Sequence, residues 1–277
     1  MRGSVRNSSR YLAAACAAVV LVACGGAEEP TEDDADAPAA EPAEEAAGQA
    51  PEAPATETDP PEEDEGGDDG SETDGGNEDR TLVATSLVPE IAAFASPDGD
   101  AEVTHSLEHP TERGVPRVFL VEERRDGWLK VLLPVRPNGS TGWIREDDVE
   151  LAWNPYRIDV NLEDFELTIH REDELVLEAT IGYGDEDTPT PGGRYYITEL
   201  LQPPEPDGPY GTYAFGLSGF SDVHLSFAGG EGVIGIHGTN EPDSVGSTVS
   251  NGCIRVHNDV ISEMATFLPL GTPVTIS

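Results

Sequence analysis

Apolar positions recur with two different periods along the C-terminal part of the chain. Ile158, Val160 and Leu162 alternate with polar residues, and Phe165, Leu167 and Ile169 do the same. This predicts two half-buried strands joined at Glu163–Asp164. LVLEATIGYG (175–184), GRYYITEL (193–200), GVIGIH (232–237) and TPVTIS (272–277) read as further strands. In NDVISEMATFL (258–268) the spacing lengthens, and Val260, Ile261, Met264, Phe267 and Leu268 share one helical face. Asn258 is the expected N-cap of that helix and Asp259 suits its first turn. Residues 156–277 are therefore expected to form a β-dominated domain with one short helix, long enough for a core of its own.

Upstream, residues 81–153 carry shorter β-rich runs, RVFLVEE (117–123) and GWLKVLL (127–133), followed by PVRPNGSTGWI (134–144). Asn138–Gly139 between two such runs is a hairpin signal. Several short strands with turns between them predict a small barrel. GWLKVLLPVRPNGSTGWIREDDVE (127–150) resembles the C-terminal half of bacterial SH3-like domains. In such a barrel Trp128 and Trp143 serve either as ligand platforms or as packing residues.

The first 80 residues follow neither period. Arg2, Arg6 and Arg10 precede an apolar stretch from Tyr11 to Ala23. That stretch is too short for a bilayer-spanning helix, which needs about 20 residues, and it reads as a secretory signal over residues 1–23. It ends in Leu21-Val22-Ala23-Cys24-Gly25. This resembles a lipobox, in which cleavage precedes the cysteine and Cys24 becomes the site of lipidation. Residues 24–80 form an acidic linker. EEPTEDDADAPAAEPAEEAAG (28–48) has no aromatic and no Val, Ile, Leu or Phe, so it cannot bury enough surface to offset its ordering entropy and is expected to be disordered. At full extension such a linker reaches at most about 200 Å. It suits a tether from a membrane-held Cys24 towards a cell wall, with the protein extracytoplasmic.

Charge narrows the partners. The formal net charge is −40, and 22 of the 55 acidic residues lie between residues 25 and 80. So acidic a chain is repelled by nucleic acid and by anionic membrane surfaces.

The cysteine count narrows the chemistry. Of three cysteines, Cys16 leaves with the signal and Cys24 carries lipid. Cys253 then has no intramolecular partner in an exported protein, where thiols are usually paired or missing. An unpaired thiol there suggests intermolecular pairing or a reactive nucleophile, the bland alternative being a buried inert residue. His237 ends a predicted strand, and Cys253 follows a connector rich in Gly, Ser and Asn. The connector can fold back to bring a thiol and an activating imidazole together. Gly252 lets the chain turn beside Cys253, where peptide N–H groups can face a developing oxyanion. His257 is a second imidazole near Cys253 in sequence. A metal site is not expected, because there is no second mature thiol and no HxxxH pair.

HGTN (237–240) followed by SNGCIRVHN (250–258) resembles the signature of the L,D-transpeptidase catalytic domain family. DTPTPGGRYYI (187–197) and YGTYAFGLSGF (210–220) resemble further family segments, and the likeness covers residues 156–277. It implies a β-sandwich-like fold with one short helix and an enzyme of peptidoglycan stem peptides without a cofactor. Carried over by position, Cys253 is the nucleophile and His237 the general base and acid. The Gly238 carbonyl orients the imidazole, and the backbone at Gly252 and Cys253 forms the oxyanion hole. Ser250, Arg255 and Tyr210 shape the site or bind substrate, and Leu201 to Phe220 is either a lid or an ordinary loop. Many members have His where Asn251 stands, and others Asn where Arg255 stands. The implied reaction is stem-peptide crosslinking through a Cys253 thioester, with carbapenem β-lactams as covalent inhibitors. The alternatives are an L,D-carboxypeptidase, protein attachment to the wall by the same fold, and a non-catalytic wall-binding lipoprotein.

Overall fold

Strand-forming runs fall into two sheets in the computed structural model, which describes residues 80–223 and 232–277. The expected signal, Cys24 and the linker up to residue 79 lie outside the described residues. The first sheet holds β1 (Thr81–Ser86), β2 (Glu90–Phe94), β3 (Val103–Glu108), β4 (Val118–Arg125), β5 (Trp128–Leu132), β6 (Thr141–Arg145) and β7 (Val149–Asn154), in the order β3-β2-β6-β5-β4-β1-β7. Its pairings are antiparallel, as short connections allow. Ala84, Ile91, Phe119, Leu129, Val131 and Ile144 point inward as its core. The hairpin expected at Asn138–Gly139 joins β5 to β6, with Leu132 opposite Thr141 and Gly139 at positive φ. Trp128 is 8% exposed, edge-on to Phe94 and capped by the Arg145 guanidinium 4.7 Å from its ring centre. Its faces are thus already occupied within the chain.

The second sheet holds β8 (Tyr156–Asn161), β9 (Glu166–Arg171), β10 (Glu174–Thr180), β12 (Gly193–Leu201), β13 (Ala214–Phe220), β14 (Val233–His237), β16 (Ile254–Arg255) and β17 (Pro273–Ile276). β11 (Tyr183–Gly184) and β15 (Thr248–Ser250) pair separately, in parallel. The strand order is β10-β9-β8-β17-β12-β13-β14-β16. The alternation read at Ile158, Val160, Leu167 and Ile169 is the inward face of β8 and β9. Burying each such side chain contributes roughly 1.5–3 kcal/mol. The chain is mainly β, and α1 (Asn258–Met264) is the one α-helix among the described residues.

Two local readings are corrected. The run 175–184 is broken into β10 and β11: the Ile181 N–H still meets the Phe165 carbonyl beside β9, but the Ile181 carbonyl accepts the Gly246 N–H and Gly182 pairs with Arg255. Asn258 does not cap α1: His257 occupies the N-cap without a side-chain bond. The Asn258 Oδ1 instead accepts the Thr239 N–H at 2.9 Å, a tertiary partner that outcompetes the local one.

The two sheets share a small apolar cluster. Tyr196 of β12, fully buried, inserts among Val83, Val118, Leu120 and Leu132 of the first sheet. Asn154 at the end of β7 donates to Thr272 Oγ1 at 3.0 Å.

Candidate active site

The site is set by register. β14 pairs antiparallel with β13, placing Gly216 opposite Gly235 and Ala214 opposite His237. On its other side β14 pairs in parallel with β16, placing Ile236 beside Ile254 and His237 beside Arg255. Ile236 and Ile254 are in the core. Side chains alternate across a strand, so Gly235, His237 and Arg255 share the opposite face. Cys253, two residues before Arg255, continues that alternation. It sits against β14, where the Gly235 backbone hydrogen-bonds its sulfur.

His237 is 6% exposed. Its Nδ1 contacts the Gly238 carbonyl at 2.5 Å. A carbonyl only accepts, so Nδ1 carries the hydrogen and Nε2 keeps its lone pair. The Tyr210 ring stands edge-on to the imidazole, with centroids 5.1 Å apart. Tyr210 is brought there by Gly211 at φ +64°, where a Cβ would lie 2.6 Å from the Gly238 backbone and 2.0 Å from Asn258 Oδ1. The neighbouring Thr212 hydroxyl bonds Ser262 Oγ of α1 at 2.8 Å. The loop is thereby tied to the helix through Thr212 and set against the His237 imidazole through Tyr210.

The turn before Cys253 is stapled internally. The Ser250 hydroxyl donates to the Cys253 carbonyl at 2.5 Å and accepts the Gly252 N–H at 3.2 Å. The Ser250 carbonyl accepts from Thr188 Oγ1 at 3.0 Å. Asp185 in turn accepts the Thr188 N–H and shares the single Thr188 hydroxyl hydrogen with that carbonyl, bonds that hold its carboxyl below the usual range. Gly252 sits at φ +100°, a conformation that favours glycine. Ser250 is 2% exposed, so its part in the geometry is the turn itself.

Arg255 is largely enclosed, and its Nη1 meets Glu241 Oε2 at 3.0 Å. Its backbone exchanges two hydrogen bonds with Gly182, at 2.7 and 2.8 Å. His257 is exposed at the start of α1. Lid and loop readings of Leu201 to Phe220 are narrowed, since Ala214–Phe220 is the interior strand β13. Among the described residues no three His, Cys, Asp or Glu converge as metal ligands.

Electrostatics set the resting state. Burial drives His237 down to about 4, assisted by the Arg255 charge and opposed by the Gly238 bond. Burial also pushes the Cys253 thiol up, against the pull of Gly235 and Arg255. At neutral pH the pair is therefore thiol and neutral imidazole. Alkylation of Cys253 by iodoacetamide should climb about tenfold per pH unit between pH 6 and 8, because the thiolate is the reactive form. A rate already flat from pH 5 would instead reveal a preformed thiolate–imidazolium pair.

Gly235, Glu241 and Gly182 were not singled out from sequence. Their roles arise from strand register, and two-residue strands such as β11 and β16 leave no periodic signal.

A family model described as the L,D-transpeptidase catalytic domain, YkuD, matches residues 155–276. The L,D-transpeptidase YkuD of Bacillus licheniformis is 41% identical over 123 residues, which cover 44% of this chain and 66% of that protein. YqjB of Bacillus subtilis, also named an L,D-transpeptidase, is 33% identical over 138 residues, 46% of this chain and 73% of the relative. Among solved structures, Bd1075 of Bdellovibrio bacteriovorus is 31% identical, with a TM-score of 0.36 over 45% of this chain and 48% of that one.

Proposed function

The chain belongs to the L,D-transpeptidase catalytic domain family, and from that premise we propose that it crosslinks peptidoglycan stem peptides through a Cys253 thioester. The observation that carries this reading is the His237 Nδ1 bond to the Gly238 carbonyl, on the strand whose Gly235 backbone holds the Cys253 sulfur. That bond leaves Nε2 as the basic atom, the state a general base needs.

The proposed steps use these residues. The donor is a tetrapeptide stem, cut at the amide between its third, diamino-acid residue and its terminal D-Ala. His237 Nε2 takes the thiol proton as the sulfur attacks that carbonyl. The negative charge passes to the carbonyl oxygen. The Cys253 N–H faces that oxygen, and the Gly252 N–H joins it when it leaves Ser250. As the C–N bond breaks, His237 returns the proton to the departing D-Ala amine. The side-chain amine of a neighbouring stem's third residue then attacks the thioester. His237 accepts that amine's proton and passes it to the leaving thiolate. One amide replaces another, so no external energy source is required. Arg255 and Tyr210 border the thiol and the imidazole and are the proposed substrate contacts.

The test is product analysis by mass spectrometry after incubation with a disaccharide-tetrapeptide. A dimer joined through the two third residues, formed with loss of D-Ala, supports the crosslinking reading. Free tripeptide as the sole product would replace it with an L,D-carboxypeptidase.

We also propose that residues 1–23 are a lipoprotein signal, that the seven-stranded unit is the SH3-like module, and that the protein faces the wall from a membrane. The basic start, the short apolar run and Leu21-Val22-Ala23-Cys24 support the first of these. A diacylglyceryl group supplies the two chains that stable anchoring takes. Cys24→Ser should therefore move the protein from the membrane fraction to the soluble exported one, as read by fractionation and immunoblot. Unchanged membrane association would remove the anchor.

A further inference from the structure

The β5–β6 turn of the first sheet reaches the edge of the candidate active site. The Asn138 side chain donates to the Phe220 carbonyl at 2.8 Å and accepts the Phe220 N–H at 2.9 Å. It thus meets both backbone groups of one residue, as a neighbouring strand would. Arg136 donates to the Ser221 carbonyl at 2.9 Å, and its guanidinium stacks over the Phe220 ring at 4.9 Å. On the opposite side, Phe220 pairs with Val233, and the Ser221 N–H donates to the Gly232 carbonyl at 2.8 Å.

Phe220 needs such support. The pairing of β13 with β14 shifts register between Gly216 and Phe220, so the ladder alone does not carry the strand end in a regular way. Ser221, 3% exposed, lies beyond that irregularity. Its Oγ is 3.9 Å from the point a Cβ on Gly252 would occupy, alongside the Pro189 and Thr188 carbonyls at 3.4 and 3.7 Å. Ser221 thus borders the space beside Gly252, the residue before Cys253.

We infer that Arg136 and Asn138 are positioning residues for the acylation step: they fix Phe220–Ser221, and through Ser221 they hold the Gly252–Cys253 turn that receives the substrate carbonyl. This rests on the reading of Cys253 as nucleophile. It gives the first sheet a role in the chemistry of the second, beyond any binding of its own. Displacing a reacting group by about 1 Å can cost on the order of 100-fold in rate, so support of Ser221, which borders the residue before Cys253, has leverage.

The experiment compares two reactions of Cys253 in the full-length protein. Acylation by imipenem needs the carbonyl held by the turn. Alkylation by iodoacetamide needs only a reachable thiolate. Both are followed by mass spectrometry of the peptide containing Cys253, with folding checked by circular dichroism. Asn138→Ala is expected to slow acylation about tenfold or more while alkylation stays within about twofold, the tolerance of independent sites. Asn138→Asp keeps the acceptor for the Phe220 N–H, loses the donor and is close in shape. It is expected to fold and to slow acylation in the same sense, and it decides the matter if the alanine variant does not fold.

Acylation of the Asp variant within about twofold of wild type overturns the inference. So does a parallel fall in both reactions, which would place the effect on the thiol rather than on the turn. A wild-type protein that resists imipenem removes the assignment of Cys253, and the inference with it. A normally acylated wild type matched by the variants removes the inference alone.

Discussion

Cys253→Ala is expected to abolish covalent acylation by a carbapenem, with wild type gaining a single adduct by intact mass and the variant none. The loss should be complete rather than graded, because Cys253 is the one free cysteine among the described residues. The substitution removes the sulfur with its Gly235 contact and leaves the Ser250 staple in place, since that staple uses main chain and the Ser250 hydroxyl. The variant should accordingly keep its circular dichroism spectrum. A persisting adduct on the folded variant would mean that another group is the nucleophile.

His237→Ala should slow acylation of Cys253 by about 100-fold or more, since general-base help is typically worth about 10²- to 10⁴-fold. The resting state makes the dependence strong: burial holds the thiol protonated at neutral pH, so a base must take the proton during attack. Neutral His237 is available for this throughout the physiological range, with its pKa near 4. His257→Ala is the control. Exposed at the start of α1, it should cost less than roughly tenfold, about 1.4 kcal/mol in barrier. Stopped-flow or quenched mass measurements on both folded variants separate the two imidazoles. An exchange of phenotypes would move the general base to His257.

Which parts of this were legible from residues alone follows from how far each depends on pairing. β8 and β9 were readable because Ile158, Val160, Leu167 and Ile169 alternate cleanly over a buried face. β13 was not. AFGLSGF mixes glycine with apolar residues and looks like a loop, yet it lies between β12 and β14 in the sheet and is buried along most of its length. The Asn138–Gly139 hairpin was visible as a turn, while the reach of Asn138 to Phe220, 82 residues away, leaves no local trace. In the site, Cys253 and His237 stood out by residue type and motif. Their common face did not, because it arises from the parallel pairing of β14 with the two-residue strand β16. Asn258 shows the same limit from the other direction: its residue type suits a cap, and a tertiary N–H claims it.

The proposed reaction turns on Cys253 carrying the donor stem as a thioester. The most direct measurement is rapid-quench intact mass spectrometry of the protein with a disaccharide-tetrapeptide donor and no acceptor, followed by peptide mapping. The expected result is an added mass equal to the donor less D-Ala, on the peptide containing Cys253 and labile to hydroxylamine. Release of D-Ala with no covalent species at any quench time, or an adduct mapped to another residue, would contradict it.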